Sequence, residues 1–289
     1  MEIFVFVIAV VLLVATSAVG YLKYRAGKTT DKKSLESAID AEISKAVKGN
    51  SFAGLVVGVY KDGKTFIKGY GTVSERNQQT PDAETVFQIG SISKLLTGLL
   101  LQRLCDEGVV SMDATLGELL GASMPLASSV RGVTLRQLVT HTSGFPRIPK
   151  VIGEKIATNA GGDDPMLDPY SQLKLQDIFD YLASAEDKRN AGQFEYSNYG
   201  MGLLGHVLEV VTSDKYESMV IEKILRPLKM NNTAITLTPE MKAKLAQGHT
   251  GKGALTPIWS FAALHGAGAF SSTAEDLIKF INKKIIIPA

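Results

Sequence analysis

The sequence predicts an α+β fold, an α/β sandwich in which an antiparallel sheet carries helices and a helical subdomain is inserted beside it. Three features point there: a tight hairpin near residue 60, an apolar helix starting near residue 91, and a middle section of helical segments joined by long loops. A helix, then paired strands, then a helical insertion is the order expected when layers cover one core. With 289 residues, 45% hydrophobic and 21% charged, there is chain enough for one large domain or two small ones.

Each element has a local reason. In residues 34–48, SLESAIDAEISKAVK, the apolar positions Leu35, Ile39, Ile43 and Val47 share one helix face. Residues 52–60, FAGLVVGVY, are β-rich. Lys61-Asp62-Gly63-Lys64 is a turn, and residues 65–70 form the partner strand. Asp-Gly supplies the positive φ angles of a tight hairpin. In VFQIGSISKLLTGLLLQRLCDEG, Leu95, Leu96, Leu99, Leu100 and Leu104 predict a heavily buried helix that stops at Gly108. Helices are expected over 133–139, 173–182 and 200–212. Residues 153–169, including NAGGDDPMLDP, are expected to be a flexible excursion outside the core. There is no internal repeat and no heptad pattern.

The N-terminus divides from the rest. Residues 3–22, IFVFVIAVVLLVATSAVGYL, carry no charge and have about the length a bilayer-spanning helix needs, roughly 20 residues. The start is Met1-Glu2, with no basic residue before the run, which favours an uncleaved anchor over a signal peptide. Ala15, Ser17 and Ala18 keep a cleavage site open. Residues 1–22 are thus an anchor or signal segment, 23–33 a polar linker, and 34–289 the main domain. Lys23, Arg25, Lys28, Lys32 and Lys33 follow the run, and the positive-inside tendency would hold them in the cytoplasm.

Several function classes are not indicated. The net charge is +2, without a basic stripe, so no nucleic-acid partner is expected. Cys105 is the only cysteine, so no intrachain disulfide can form, and its apolar helical setting suits a buried small hydrophobe better than a reactive thiol. The four histidines and one cysteine are scattered, so neither a metal nor a cofactor is expected. GKTT at residues 27–30 lacks the upstream glycine and strand of a phosphate loop.

The chemistry concentrates in two places. In Ser91-Ile92-Ser93-Lys94, positions i and i+3 share a helix face one turn apart. A serine hydroxyl needs a base within hydrogen-bond reach, and a lysine can be that base once burial or a neighbouring cation displaces its proton. The structural alternative is a helix N-cap, which serine does well. A second copy, Ser171-Gln172-Leu173-Lys174, lies in polar surroundings and shows how cheaply the pattern arises. The other place is Tyr196-Ser197-Asn198. In an extended segment, positions i and i+2 point the same way, so a phenol and an amide can enter one cleft together. The alternative there is a turn tyrosine and a capping asparagine ahead of a helix at Gly200.

FQIGSISKLLTGLLL, LRQLVTHTSGFP, FEYSNYGMGLLGHVLE, ILRPLKMNNTAI and GAGAFSSTAEDLIKF occur in that order. Together they resemble the serine β-lactamase-related family, in the branch holding class C β-lactamases, D-alanyl-D-alanine carboxypeptidases and related esterases. The likeness runs from about Ser34 to Phe280. It implies a β-lactamase/transpeptidase-like fold without a cofactor. It also implies a catalytic Ser91 that forms an acyl-enzyme, Lys94 and Tyr196 sharing the proton transfers, and Asn198 binding substrate. The substrate would be a small molecule or a peptidoglycan-type peptide, and the domain would lie outside the cytoplasm on its membrane anchor. The oxyanion hole would use the backbone N–H of Ser91 and a second N–H from an inner strand. His141 is expected to order a loop.

The pattern departs from the family in one respect. A third motif, Lys-Thr-Gly or His-x-Gly, should follow the STAEDL helix, but only Asn282 to Ala289 remain. The C-terminal strands are therefore expected to be missing, leaving the hairpin with an open edge. His249-Thr250-Gly251 matches the motif literally but falls too early, where the family has a surface turn, and His265 lacks the glycine. Three readings stand: an acyl-serine hydrolase of β-lactam, D-Ala peptide or ester; a non-catalytic penicillin-binding-like scaffold; and an inactive truncated member.

Overall fold

Helix α1 (Lys32–Gly49) opens the computed structural model, which describes residues 32–49, 54–61, 63–73, 78–159, 168, 170–185, 191–249 and 255–282. It buries Ile39, and its Asp40 accepts hydrogen bonds from Lys68 Nζ and Tyr70 Oη, both at 2.6 Å. Both donors sit on the second strand of the hairpin that follows, so this helix is pinned to it by charge as well as by packing. The hairpin itself pairs β1 (Gly54–Lys61) with β2 (Lys64–Gly71), antiparallel, with Gly54 opposite Gly71 and Lys61 opposite Lys64. Gly63 turns the corner at φ 78°, a left-handed angle that favours glycine.

A helical body follows. Strand β3 (Val86–Gln88) leads through one 3₁₀ turn, Gly90–Ile92, into α2 (Ser93–Asp106). This helix buries Leu96, Leu100, Leu101 and Leu104, and Gly108 ends its exit turn at φ 71°. Helices α3 (Leu116–Leu120) and α4 (Leu135–Val139) each start at a threonine with a reciprocal capping box, Thr115 with Glu118 and Thr134 with Gln137. Two otherwise orphaned backbone donors are satisfied at each start, which holds helices this short in register. Then come α5 (Lys150–Asn159), α6 (Leu175–Ser184), α7 (Asn198–Thr212) and α8 (Tyr216–Val220).

Helix α7 is the hub of this body. It is buried without interruption from Asn198 to Leu208, as expected of a helix apolar on every face. It packs against α2, α3, α4 and α8, and on its far side against α9 (His265–Gly268). The α7–α9 contact is close because it is lined by glycine. A Cβ on Gly202 would sit 2.6 Å from Leu264 Cδ2, and one on Gly266 would sit 2.6 Å from the Met201 carbonyl oxygen. In chain order between these helices comes the short antiparallel pair β4 (Gly248–His249) with β5 (Leu255–Thr256). Strand β6 (Ser271–Thr273) then returns to pair with β3, and α10 (Ala274–Asn282) lies across the hairpin.

The fold is α+β, as predicted, with helices and small antiparallel sheets. The described strands form three two-stranded pairs, β1–β2, β3–β6 and β4–β5. Among the described residues β1 pairs only with β2. No described strand follows α10, so the inner strand that the resemblance assigns to the third motif is not among the described residues.

Several sequence expectations need correction. The excursion at 153–169 begins as helix: α5 reaches Asn159, and its Ile152 is buried in the main core. Amphipathic packing on one side outweighed the glycines and prolines farther along. His249 ends β4, while Thr250 and Gly251 lie outside the described residues. Residues 3–22, the expected membrane segment, lie outside the described residues. Among the described residues no helix is long and apolar enough to cross a membrane.

Candidate active site

Ser91 sits in the 3₁₀ turn ahead of α2, with its side chain toward solvent. It is not the helix cap. Ile92 occupies that position, and no side chain bonds there. Helix geometry then carries Lys94 inward by one turn, where it is buried. Lys94 Nζ lies 3.1 Å from Ser91 Oγ, 2.9 Å from Asn198 Oδ1 and 2.6 Å from the carbonyl oxygen of Ala267. Tyr196 Oη lies 2.8 Å from the same Ser91 oxygen. All four predicted site residues therefore meet in one cluster, Ser91 from the 3₁₀ turn, Lys94 from α2, Tyr196 from the segment before α7 and Asn198 from its first residue, with the Ala267 carbonyl of α9 added.

The fixed acceptors decide what the amine can do. Asn198 Oδ1 and Ala267 O can only accept, so each takes one N–H of Lys94. In the neutral amine the remaining lone pair then faces Ser91 Oγ. Burial first, and the Arg147 cation second, bring the Lys94 pKa down to about 7. Removing water from around an ammonium disfavours the charged form, and a like charge adds to that. Lys94 therefore changes protonation near neutral pH, where an ordinary lysine would stay a cation.

Tyr196 and Asn198 reach the cluster because Ser197 between them is extended, with ψ 114°. The helix cap is Ser197, whose Oγ accepts from Gly200 N at 2.8 Å and donates to Pro146 O at 2.8 Å. Asn198, a cap only in the alternative reading, is the first residue of the helix, with its side chain turned to Lys94. His141 orders this segment, as anticipated. Its Nδ1 accepts from Ser197 N at 3.1 Å, its carbonyl accepts from Glu195 N at 2.8 Å, and its ring lies 4.7 Å from that of Tyr196. Burial, with Lys94 second, lowers the His141 pKa to about 4, so the ring is a neutral acceptor at neutral pH.

Other participants were not visible in the sequence. Arg147 places its guanidinium 5.4 Å from the Tyr196 ring centroid, while Lys94 Nζ is 4.9 Å from it. The Arg147 carbonyl accepts from both Asn198 N and Tyr199 N, which seats the start of α7. Ala267 acts through a carbonyl, and nothing in a side-chain pattern marks it. Beside the cluster, Gln88 exchanges two hydrogen bonds with the Trp259 backbone, and Trp259, Tyr170 and Phe261 form an aromatic group with Tyr170 stacked on Phe261 at 4.9 Å. The second Ser-x-x-Lys makes no such site. Ser171 Oγ donates to the Asp168 carbonyl in a turn, and Lys174 precedes α6.

The chain is 27% identical over 238 residues to the D-alanyl-D-alanine-carboxypeptidase/endopeptidase AmpH of Escherichia coli strain K12, covering 81% of this chain and 58% of that protein. It is 31% identical over 214 residues to the human putative beta-lactamase-like 1, covering 69% of this chain and 39% of that protein. A solved class C beta lactamase from Rhodobacter sphaeroides superposes with a TM-score of 0.70 at 24% identity, over 83% of this chain and 63% of that one. The chain thus spans little more than half the length of AmpH, and the solved structure shares its fold. Residues 39–288, most of the chain, match the Beta-lactamase family, and the chain belongs to that family.

Proposed function

We propose that the protein is a serine hydrolase that opens an amide or ester through an acyl-serine on Ser91. The observation that carries this reading is the placement of one hydroxyl, Ser91 Oγ, between a buried amine at 3.1 Å and a phenol at 2.8 Å. Ser91 Oγ attacks the substrate carbonyl, and its proton passes to the Lys94 lone pair. The leaving nitrogen or oxygen takes a proton relayed through Tyr196, and water then releases the acyl group. Asn198 Oδ1 is engaged by Lys94, so its Nδ2 is the donor assigned to substrate. Substrates of the β-lactam, D-Ala peptide or ester class fit this chemistry. The AmpH carboxypeptidase/endopeptidase likeness supports a peptidoglycan-type peptide among them.

Labelling with a fluorescent penicillin and with a fluorophosphonate tests the reading. An adduct mapped to Ser91 and lost in Ser91→Ala is expected. Folded protein that takes neither label, or a Ser91→Ala variant that labels like its parent, would overturn it. Normal folding with no acylation, and a Ser91→Ala variant that behaves like its parent, is the outcome the non-catalytic scaffold reading expects. The apolar run at 3–22 further leads us to place the domain on a membrane, and the family likeness leads us to place it outside the cytoplasm, against the tendency of the flanking basic residues. Membrane fractionation and protease protection of the full chain check this, and a domain found in the wash or shielded in the cytoplasm would reject it.

A further inference from the structure

The scattered histidines are not all apart in space. His206 lies on α7, Glu209 one turn farther along the same helix, and His265 at the start of α9. The glycine-lined packing of these two helices brings them together, with the His206 and His265 rings 4.4 Å apart. One ligand atom from each residue falls within 4.8 Å of the others. His206 and Glu209 at i and i+3 share a helix face, and the third member comes from a segment distant in sequence, so spacing alone could not reveal the set.

The protons are what make this cluster unusual. His206 Nε2 lies 2.7 Å from the Ala263 carbonyl, which can only accept, so Nε2 carries the hydrogen. In the neutral ring Nδ1 is then a bare lone pair, and it faces Glu209 Oε2 at 2.9 Å. A lone pair and a carboxylate oxygen at that distance need a positive centre between them. His265 adds to the demand. It hydrogen-bonds the Ala262 backbone, while its Nε2 is buried without a partner, 4.0 Å from the same Glu209 oxygen. A proton shared by His206 and Glu209 would satisfy that pair and leave His265 Nε2 orphaned. A cation that accepts all three donors would satisfy every atom.

We propose that His206, Glu209 and His265 bind a divalent transition-metal ion of the zinc type. Two imidazoles and one carboxylate are a donor set such ions favour. Each donor already has the outer partner that such ligands use for orientation: the Ala263 carbonyl for His206, the Ala262 backbone for His265, and the Tyr216 N–H at 2.9 Å for the other Glu209 oxygen. The ion would tie α7 to α9. That segment supplies the Gly266 carbonyl held by Thr97 and the Ala267 carbonyl held by Lys94. The site is a brace behind the Ser91 cluster, and the reacting atoms do not touch it.

The test is cobalt titration of the full chain after dialysis against a chelator. Visible d–d absorption that saturates at one equivalent and disappears on adding zinc is expected, with zinc also raising the melting temperature. His265→Gln and His206→Gln should each weaken binding by more than about 100-fold, beyond what losing an outer partner causes. Metal-free melting of each variant confirms that it folds. Native protein with no cobalt band and no zinc-dependent melting shift would overturn the proposal, as would unchanged binding in folded His265→Gln. Because the readout is metal binding, failure here is separable from failure of Ser91 labelling.

Discussion

Replacing Arg147 by glutamine should move the pH at which Ser91 becomes reactive. Arg147 and Lys94 both face the Tyr196 ring, at 5.4 Å and 4.9 Å from its centroid, which bounds their separation at about 10 Å. Two unit charges about 10 Å apart repel by about 0.4 to 1.7 kcal/mol for effective dielectric constants between about 80 and 20. That corresponds to a midpoint shift of about 0.3 to 1.2 pH units. Removing the arginine charge relieves the ammonium, so the Lys94 pKa rises from about 7 toward 8. For a shift of about one unit, the neutral fraction of Lys94 at pH 7 falls from about one half to about one tenth, and labelling slows about fivefold. Above roughly pH 9 the two proteins should converge, since Lys94 is then largely neutral in both. The assay is the second-order rate of fluorophosphonate labelling between pH 5.5 and 10. Arg147→Lys retains the charge and should retain the native midpoint. An unchanged midpoint in Arg147→Gln, or an equal loss of rate at every pH, would refute the electrostatic argument.

Three stability predictions follow from buried charge and packing. Lys94 has a folded-state pKa below its ordinary value of 10.5, so the folded protein loses stability as pH falls from 10.5 toward 7 and loses no more below that. The whole effect is at most about 5 kcal/mol, and Lys94→Met should lack this slope in urea unfolding across that range. Asp276 is fully buried and accepts from Asn232 N, Thr233 Oγ1 and Lys279 Nζ at 2.8, 2.9 and 2.8 Å. Asp276→Ala strands these donors and should cost about 3–5 kcal/mol by the same measurement. Leu100 is fully buried in the main core, and Leu100→Ala should cost about 2–5 kcal/mol, whereas exposed Val109→Ala should stay within about 0.5.

Local signals carried much of the fold. The Asp62-Gly63 turn placed the hairpin, and the leucine spacing of α2 and the Gly108 stop placed the central helix, because turn chemistry and helical periodicity act over a few neighbours. Helix starts were less legible. Thr115 and Thr134 cap two short helices, and Ser197 rather than Asn198 caps α7, choices that depend on which side chain the surrounding packing leaves free to turn back. The stretch after Gly153 looked like loop because its glycines and prolines dominate a short window. Its first turns are helical because Ile156, continuing from Ile152, packs against the core.

The site divides along the same line. Sequence by itself determined that Ser91 and Lys94 share a helix face and that Tyr196 and Asn198 can point together, since both follow from backbone repeat. It also placed the chain in its family through ordered stretches. Tertiary structure alone decided that these two pairs converge on one hydroxyl, that the carbonyl of Ala267 and the charge of Arg147 shape the amine, and that His265 meets His206 and Glu209. The physical reason is that desolvation and Coulomb interaction depend on distance in space. Chain order does not encode that distance until glycine-lined helices such as α7 and α9 are packed against each other.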